Sequence, residues 1–295
     1  MKQYPSIGQA TQITMPSRGY LLCSIGRTGS NLLANALAGT GIAGRPAEYF
    51  SPVEQEKPWM RHILGDSTLV DGLHKILMAG TTPNGLFGVK AHWEHLQHLG
   101  MSIRREWNDP QRVAAYESLQ SRFPNLLSHA AARELLRSRF SNLPLQATAY
   151  ALLRSRFSDL RLIRLRRRNM VARAISHFRA RKTGIWYQPL SKGGTVPGEQ
   201  APEFDLAEIH ESYCLGRFQE EAWQLFFHEH EISPHYVVYE ELVADYEATV
   251  RRVLGYLGLD GEQTFIPPPR SLKQSDALSE EWEERYRKLT AEAGI

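Results

Sequence analysis

The chain has 295 residues, is 42% hydrophobic and carries a formal net charge of +3, so it can bury a large core but offers no broad basic surface. This balance does not by itself argue for nucleic acid or an anionic membrane as partner, and any anion site must be a local cluster. The two cysteines, Cys23 and Cys214, lie far apart without metal or redox spacing, which excludes a cysteine metal site and fits a reducing compartment without a structural disulfide. Met1 to Arg18 hold no apolar signal segment, and no apolar run reaches membrane-spanning length, so the protein is expected to be cytoplasmic.

The first element after the polar lead of residues 1–18 is a short apolar run, Gly19 to Ser24, which reads as a buried parallel strand. A glycine turn, Ser24 to Asn31, closes it and opens a helix with Leu33, Ala36 and Leu37 at i, i+3 and i+4, ended by Gly39 and Gly41. Turn chemistry at Pro83-Asn84-Gly85 precedes a second strand, Leu86 to Trp93. A third strand, Leu160 to Leu165, ends in Arg166-Arg167-Arg168. Asn169 then reads as the N-cap of a helix whose Val171, Ala174, Ile175 and Phe178 form one apolar stripe. The fourth strand, His235 to Tyr239, is followed by a helix from about Ala244 to Leu257 with Val250, Leu254 and Leu257 on one face. Strands separated by helices, none close enough for hairpins, predict one α/β domain over residues 1–295: a parallel sheet with helices on both faces, three layers in all. Ser-Arg-Phe recurs at residues 121–123, 138–140 and 155–157, a period of seventeen. It marks a helical repeat insertion over 115–160 with a structural role, since solenoid units are longer and fill the chain.

The turn between the first strand and helix carries the chemistry. Gly26 and Gly29 allow backbone angles that aim several N–H groups and the helix dipole at one spot, where anions bind. Arg27 adds fixed positive charge, and Thr28, Ser30 and Asn31 add side-chain donors. By itself the segment fits either such a cradle or a plain helix cap. A nucleoside-triphosphatase loop needs four residues between its glycines and then Gly-Lys-Ser/Thr, whereas only Arg27 and Thr28 stand between Gly26 and Gly29, and Ser30 occupies the lysine position. With no clear acidic magnesium ligand ending a later strand, transfer of phosphate from ATP is disfavoured, although a small-molecule kinase and a non-catalytic nucleotide-binding protein remain the alternatives.

The turn resembles the 5′-phosphosulfate loop of sulfotransferases that use 3′-phosphoadenosine-5′-phosphosulfate (PAPS). Further segments are similar to the bacterial trehalose 2-sulfotransferase family and the related NodH-type sulfotransferases: Gly41 to Phe50, Thr82 to Lys90, Arg167 to Ala180, and Leu272 to Asp276 with the helix of Glu281 to Tyr286 behind it. Asn31 departs from the family loop by replacing its second hydroxyl.

The resemblance implies a P-loop-like sulfotransferase fold, no required metal, a homodimer, and a hydroxyl of a carbohydrate or glycolipid-like acceptor. It places the 5′-phosphosulfate on Arg27, Thr28, Gly29, Ser30 and Asn31, and the 3′-phosphate on Arg167 and Ser176, with Lys273, beside Arg270, as a further candidate. Ser176 lies opposite the apolar stripe of its helix, so the core does not require it. Two residues compete as the base that takes the acceptor's proton. Glu48 occupies the position of the family's proposed catalytic carboxylate, although an ordinary carboxyl, near pKa 4.3, is a weak base. His92, two residues after Lys90, matches the Lys-x-His arrangement of the wider superfamily, and an imidazole titrating near 6.5 suits the task. Lys90 shares the strand face of His92 and reads as an electrostatic helper. Trp93, Trp186 and Tyr187 are candidate faces for a sugar ring, with core packing as the alternative.

Overall fold

The computed structural model describes residues 15–107, 145–186, 202–269 and 277–294. Four parallel strands form the sheet: β1 (Arg18–Ser24), β2 (Leu86–His92), β3 (Asp159–Arg166) and β4 (His235–Val238), in the order β2-β1-β3-β4. Every residue of β2, and every residue of β1 after Arg18, is buried. This double-sided burial explains why both read as unbroken apolar runs rather than as alternating patterns.

Alternate residues of β1 feed two separate cores. Tyr20 and Leu22 pack with Leu33, Ala36 and Leu37 of α1 (Ser30–Gly39) and with Val250, Val253 and Leu254 on the other helix of that layer. On the opposite face, Leu21 and Cys23 join a larger cluster from α4 (Leu73–Ala79), α5 (Trp93–Trp107) and α6 (Leu145–Arg154). Trp223, Phe226 and Phe227 of the 24-residue α8 (Leu206–Glu229) complete this cluster. Two short helices, α2 (Pro52–Gln55) and α3 (Pro58–Leu64), lie between α1 and α4 in the chain. The helix on the far side of β3, α7 (Met170–Thr183), is capped as expected, the Asn169 side chain accepting from the Ala172 N–H at 2.9 Å. Its buried Val171, Ala174, Ile175 and Phe178 meet Ile209 of α8 and Trp282 and Tyr286 of α11 (Ala277–Ala293).

Local differences from the sequence reading have simple causes. Trp93 opens α5 instead of ending β2, and its ring packs edge-on against Trp223 at 5.2 Å, which gives it a core role and not a sugar-facing one. Tyr239 opens α9 (Tyr239–Ala244), and the next helix, α10 (Tyr246–Tyr256), starts afresh because Asp245 caps it through the Ala248 N–H. The third Ser-Arg-Phe copy forms the turn between α6 and β3, where Phe157 stacks on Phe87 at 5.5 Å and fills the space a side chain at Gly19 would need. The other two copies, most of the 115–160 insertion, Tyr187, Arg270 and Lys273 lie outside the described residues.

The strand order defines where a ligand belongs. From β1 the chain crosses to β2 on one side, then returns past β1 to β3 on the other, so the crevice opens beyond the carboxyl ends of β1 and β3. The turn after β1 and the arginines after β3 meet there.

Candidate active site

The turn is a concave backbone cup. Arg27, at φ 70°, and Gly29, at φ 84°, both adopt left-handed conformations, which costs about 1 kcal/mol or more for the arginine and turns successive N–H groups to one side. A side chain at Gly29 would lie 2.5 Å from the Tyr239 ring, so this position needs glycine for space as well as for φ. The first turn of α1 carries neither a side-chain cap nor an acidic residue, leaving its N–H groups for an anion. Thr28 differs from expectation: its buried hydroxyl donates to the Ile25 carbonyl at 2.8 Å and closes the turn, so its own N–H is what it can offer a ligand.

Three arginines grip this cup. Arg27 donates from Nε to the Ser176 hydroxyl at 2.9 Å and from a terminal nitrogen to the Trp186 carbonyl at 2.6 Å, so the two expected phosphate anchors touch. Burial, then the charge of Arg167, lowers its pKa to about 10. Arg167 donates to the Arg27 carbonyl at 3.1 Å, and its guanidinium lies 4.7 Å from the centre of the Tyr239 ring. Its Nε is buried and has no hydrogen-bond partner among the described residues. Arg173 reaches the preceding carbonyl, Gly26, at 2.9 Å. Beside these groups, His177 is held neutral: burial, then Arg173, Arg181 and Arg27, push its pKa down to about 3.

The second half of the site is a polar cluster on β2. Lys90 donates its backbone N–H to the Ala47 carbonyl at 3.0 Å, and Ala47 bridges to Val89, which sets Glu48 beside the Lys90 side chain. The Lys90 ammonium lies 2.7 Å from Glu48 Oε1 and 2.6 Å from Asn31 Oδ1, tying the carboxylate to α1. His92 Nε2 approaches the same Glu48 oxygen at 3.3 Å, while its Nδ1 faces the Ser24 hydroxyl at 3.0 Å. Both ring nitrogens are therefore engaged, whereas Glu48 Oε2 has no partner among the described residues. Burial raises the Glu48 carboxyl, but Lys90 above all, and then His92, outweigh it and hold the group well below the usual carboxylate range. Burial and the neighbouring His92 hold His95 well below the usual imidazole range.

The structure thus brings together Arg27, Thr28, Gly29, Ser30, Asn31, Glu48, Lys90, His92, Arg167 and Ser176 at one end of the sheet. Trp186 is 46% exposed, with its ring edge-on to His177 at 5.7 Å, so core packing does not account for it. Sequence reading missed Ser24, Arg173 and Tyr239. A charged residue beside the apolar stripe of α7 was the available signal for Arg173.

Two comparisons bear on identity. The sequence model of the Stf0 sulphotransferase family matches residues 19–113 and 126–289. Among curated proteins, the chain is 28% identical to trehalose 2-sulfotransferase of Mycolicibacterium smegmatis, over 94% of this chain and 97% of that protein. Identity to trehalose 2-sulfotransferase of Mycobacterium tuberculosis is 24% over the same shares. No described helix is long and apolar enough to cross a membrane.

Proposed function

The chain belongs to the Stf0 sulphotransferase family and is a sulfotransferase, and on that footing we propose that it moves the sulfuryl group of PAPS to a hydroxyl of a carbohydrate. The observation that carries this reading is the joining of the anion cup to the Glu48–Lys90–His92 cluster through the Lys90–Asn31 contact. The residues suit a donor with two anionic ends. Backbone N–H groups from Arg27 to Asn31 face the 5′-phosphosulfate, and Arg167, whose buried Nε has no partner among the described residues, and Ser176 face the 3′-phosphate.

Bound donor supplies the sulfuryl group and a leaving adenosine 3′,5′-bisphosphate; the chain supplies the rest. Glu48 Oε2 takes the proton of the acceptor hydroxyl as its oxygen bonds to sulfur and the bond to the bridging phosphate oxygen breaks. Lys90 is shared between Glu48 and the cup, so charge growing on the bridging oxygen draws the ammonium away from the carboxylate. Withdrawal of that cation raises the proton affinity of Glu48 in step with the transfer, which answers the weakness of a carboxyl held low in the resting site. His92, with both nitrogens engaged, orients the carboxylate. Acceptor choice rests on the names of the relatives and on the exposed Trp186.

Calorimetry with adenosine 3′,5′-bisphosphate, AMP and ATP tests the donor assignment. The bisphosphate is expected to bind roughly 10- to 100-fold more tightly than AMP, the increment of charge-assisted hydrogen bonds to one added phosphate. Tighter binding of ATP than of the bisphosphate would overturn it.

A further inference from the structure

Two arginines, Arg164 and Arg173, are fully buried near the cup, each 1% exposed, and they are treated differently. Arg164 is paired, its guanidinium lying 2.7 Å from the Glu220 carboxylate. Arg173 has no carboxylate in contact among the described residues. Its Nε donates to the Gly26 carbonyl at 2.9 Å and a terminal nitrogen donates to the Ser212 carbonyl of α8 at 2.7 Å. A buried guanidinium hydrogen-bonded only to neutral carbonyls is costly, because its charge has lost water and the nearby Glu94 and Glu220 carboxylates offset that only from beyond contact.

The surroundings are shaped to keep it there. Gly216 sits in the interior of α8, where glycine costs about 1 kcal/mol relative to alanine. A side chain at that position would lie 2.6 Å from the Arg173 terminal nitrogen that reaches Ser212. Glycine at 216 is thus the residue that lets the guanidinium lie flat against α8.

The peptide plane explains the use. In a trans peptide the C=O and the following N–H point in opposite directions, so holding the Gly26 carbonyl toward α7 aims the Arg27 N–H the other way. Arg167 does the same one residue later by holding the Arg27 carbonyl, which aims the Thr28 N–H.

We propose that Arg173 is a positioning residue of the donor site: it fixes the Gly26–Arg27 peptide with its N–H toward the 5′ end of the donor and places behind the cup a positive charge that no described carboxylate contacts, to which that anionic group is drawn. This rests on reading the turn as the 5′-phosphosulfate cradle. Arg167 shares this backbone-holding role at the next peptide and is in addition assigned to the other phosphate.

The test compares two ligands that differ only in the 5′-phosphate, adenosine 3′,5′-bisphosphate and adenosine 3′-monophosphate, by calorimetry on the full chain. In Arg173→Met the preference for the bisphosphate is expected to fall about tenfold or more while monophosphate affinity stays within about twofold. Arg173→Lys, which keeps the charge but cannot hold both carbonyls, should recover part of the preference. Gly216→Ala should reduce it in the same direction without burdening the helix, because the added methyl displaces the flexible end of Arg173; this variant carries the test should Arg173→Met fail to fold. An unchanged preference in the folded variants overturns the proposal. So does an equal loss of both ligands, the mark of a purely structural role. If the wild-type protein itself shows no preference for the 5′-phosphate, the donor-site reading fails first, and that result is visible before any variant is made.

Discussion

Replacing Glu48 by Gln is expected to lower the transfer rate at saturating PAPS by on the order of 10²-fold or more, with nucleotide affinity changed by no more than about twofold. The amide keeps the shape of the side chain and can still accept from Lys90, but it cannot take a proton from a hydroxyl. Donor affinity survives because Glu48 reaches the cup only indirectly, through Lys90, which retains its bond to Asn31, and through His92, which retains its contact with Ser24. His92→Asn should cost less, about tenfold, since the geometry spends both imidazole nitrogens on Ser24 and Glu48 and leaves none for the acceptor. The comparison is decisive in both directions. A larger loss in His92→Asn than in Glu48→Gln would make the imidazole the base and reduce the carboxylate to its orienting partner, and two small losses would remove both.

The second large effect concerns stability. Glu220, 5% exposed, lies 2.7 Å from Arg164 and accepts from Arg166 at 3.2 Å. Arg164 in turn donates to the carbonyls of Cys23 and Leu165 and stacks 5.6 Å over the Trp223 ring, whose N–H holds the Ser24 carbonyl. This network anchors the last residues of β1 directly before the cup. Glu220→Leu strands the Arg164 charge in the interior, and a broken buried pair of this kind costs about 3–5 kcal/mol. For a chain of this size the melting temperature is expected to fall by roughly 5–8 °C. Removing both charges in Arg164→Met/Glu220→Leu should restore much of the loss, because the uncompensated charge, and not the lost attraction, is the main penalty. A single variant that melts within about a degree of wild type, or a double variant worse than both singles combined, would contradict this.

How much was legible beforehand follows the range of the interactions. The cup was readable because its glycines, its arginine and the helix after it are consecutive. Lys90 and His92 were placed on one face by the two-residue repeat of a strand, and both do reach Glu48. Arg167 and Ser176 stood out as a strand-end cation and a polar residue off an apolar stripe. What remained hidden is set by long-range packing. Nothing local shows that Asn31 and Lys90, 59 residues apart, share a hydrogen bond. The departure at Asn31 acquires a use in this way, since its carbonyl oxygen accepts from Lys90, which a hydroxyl there would reach less far to do. Nor does the pattern of α8 reveal that Gly216 makes room for a side chain from α7. Competition between Glu48 and His92 could not be judged without knowing that they share one hydrogen-bonded unit, in which the carboxylate keeps an oxygen without a partner among the described residues.

The most direct measurement is product formation itself: the purified protein incubated with PAPS and a panel of sugars that includes trehalose, with sulfated sugar and released nucleotide followed by mass spectrometry. A sulfate ester on a sugar, formed in step with adenosine 3′,5′-bisphosphate and absent when ATP replaces PAPS, is the predicted result. A phosphorylated sugar formed from ATP, or PAPS bound with no sugar in the panel sulfated, would contradict it.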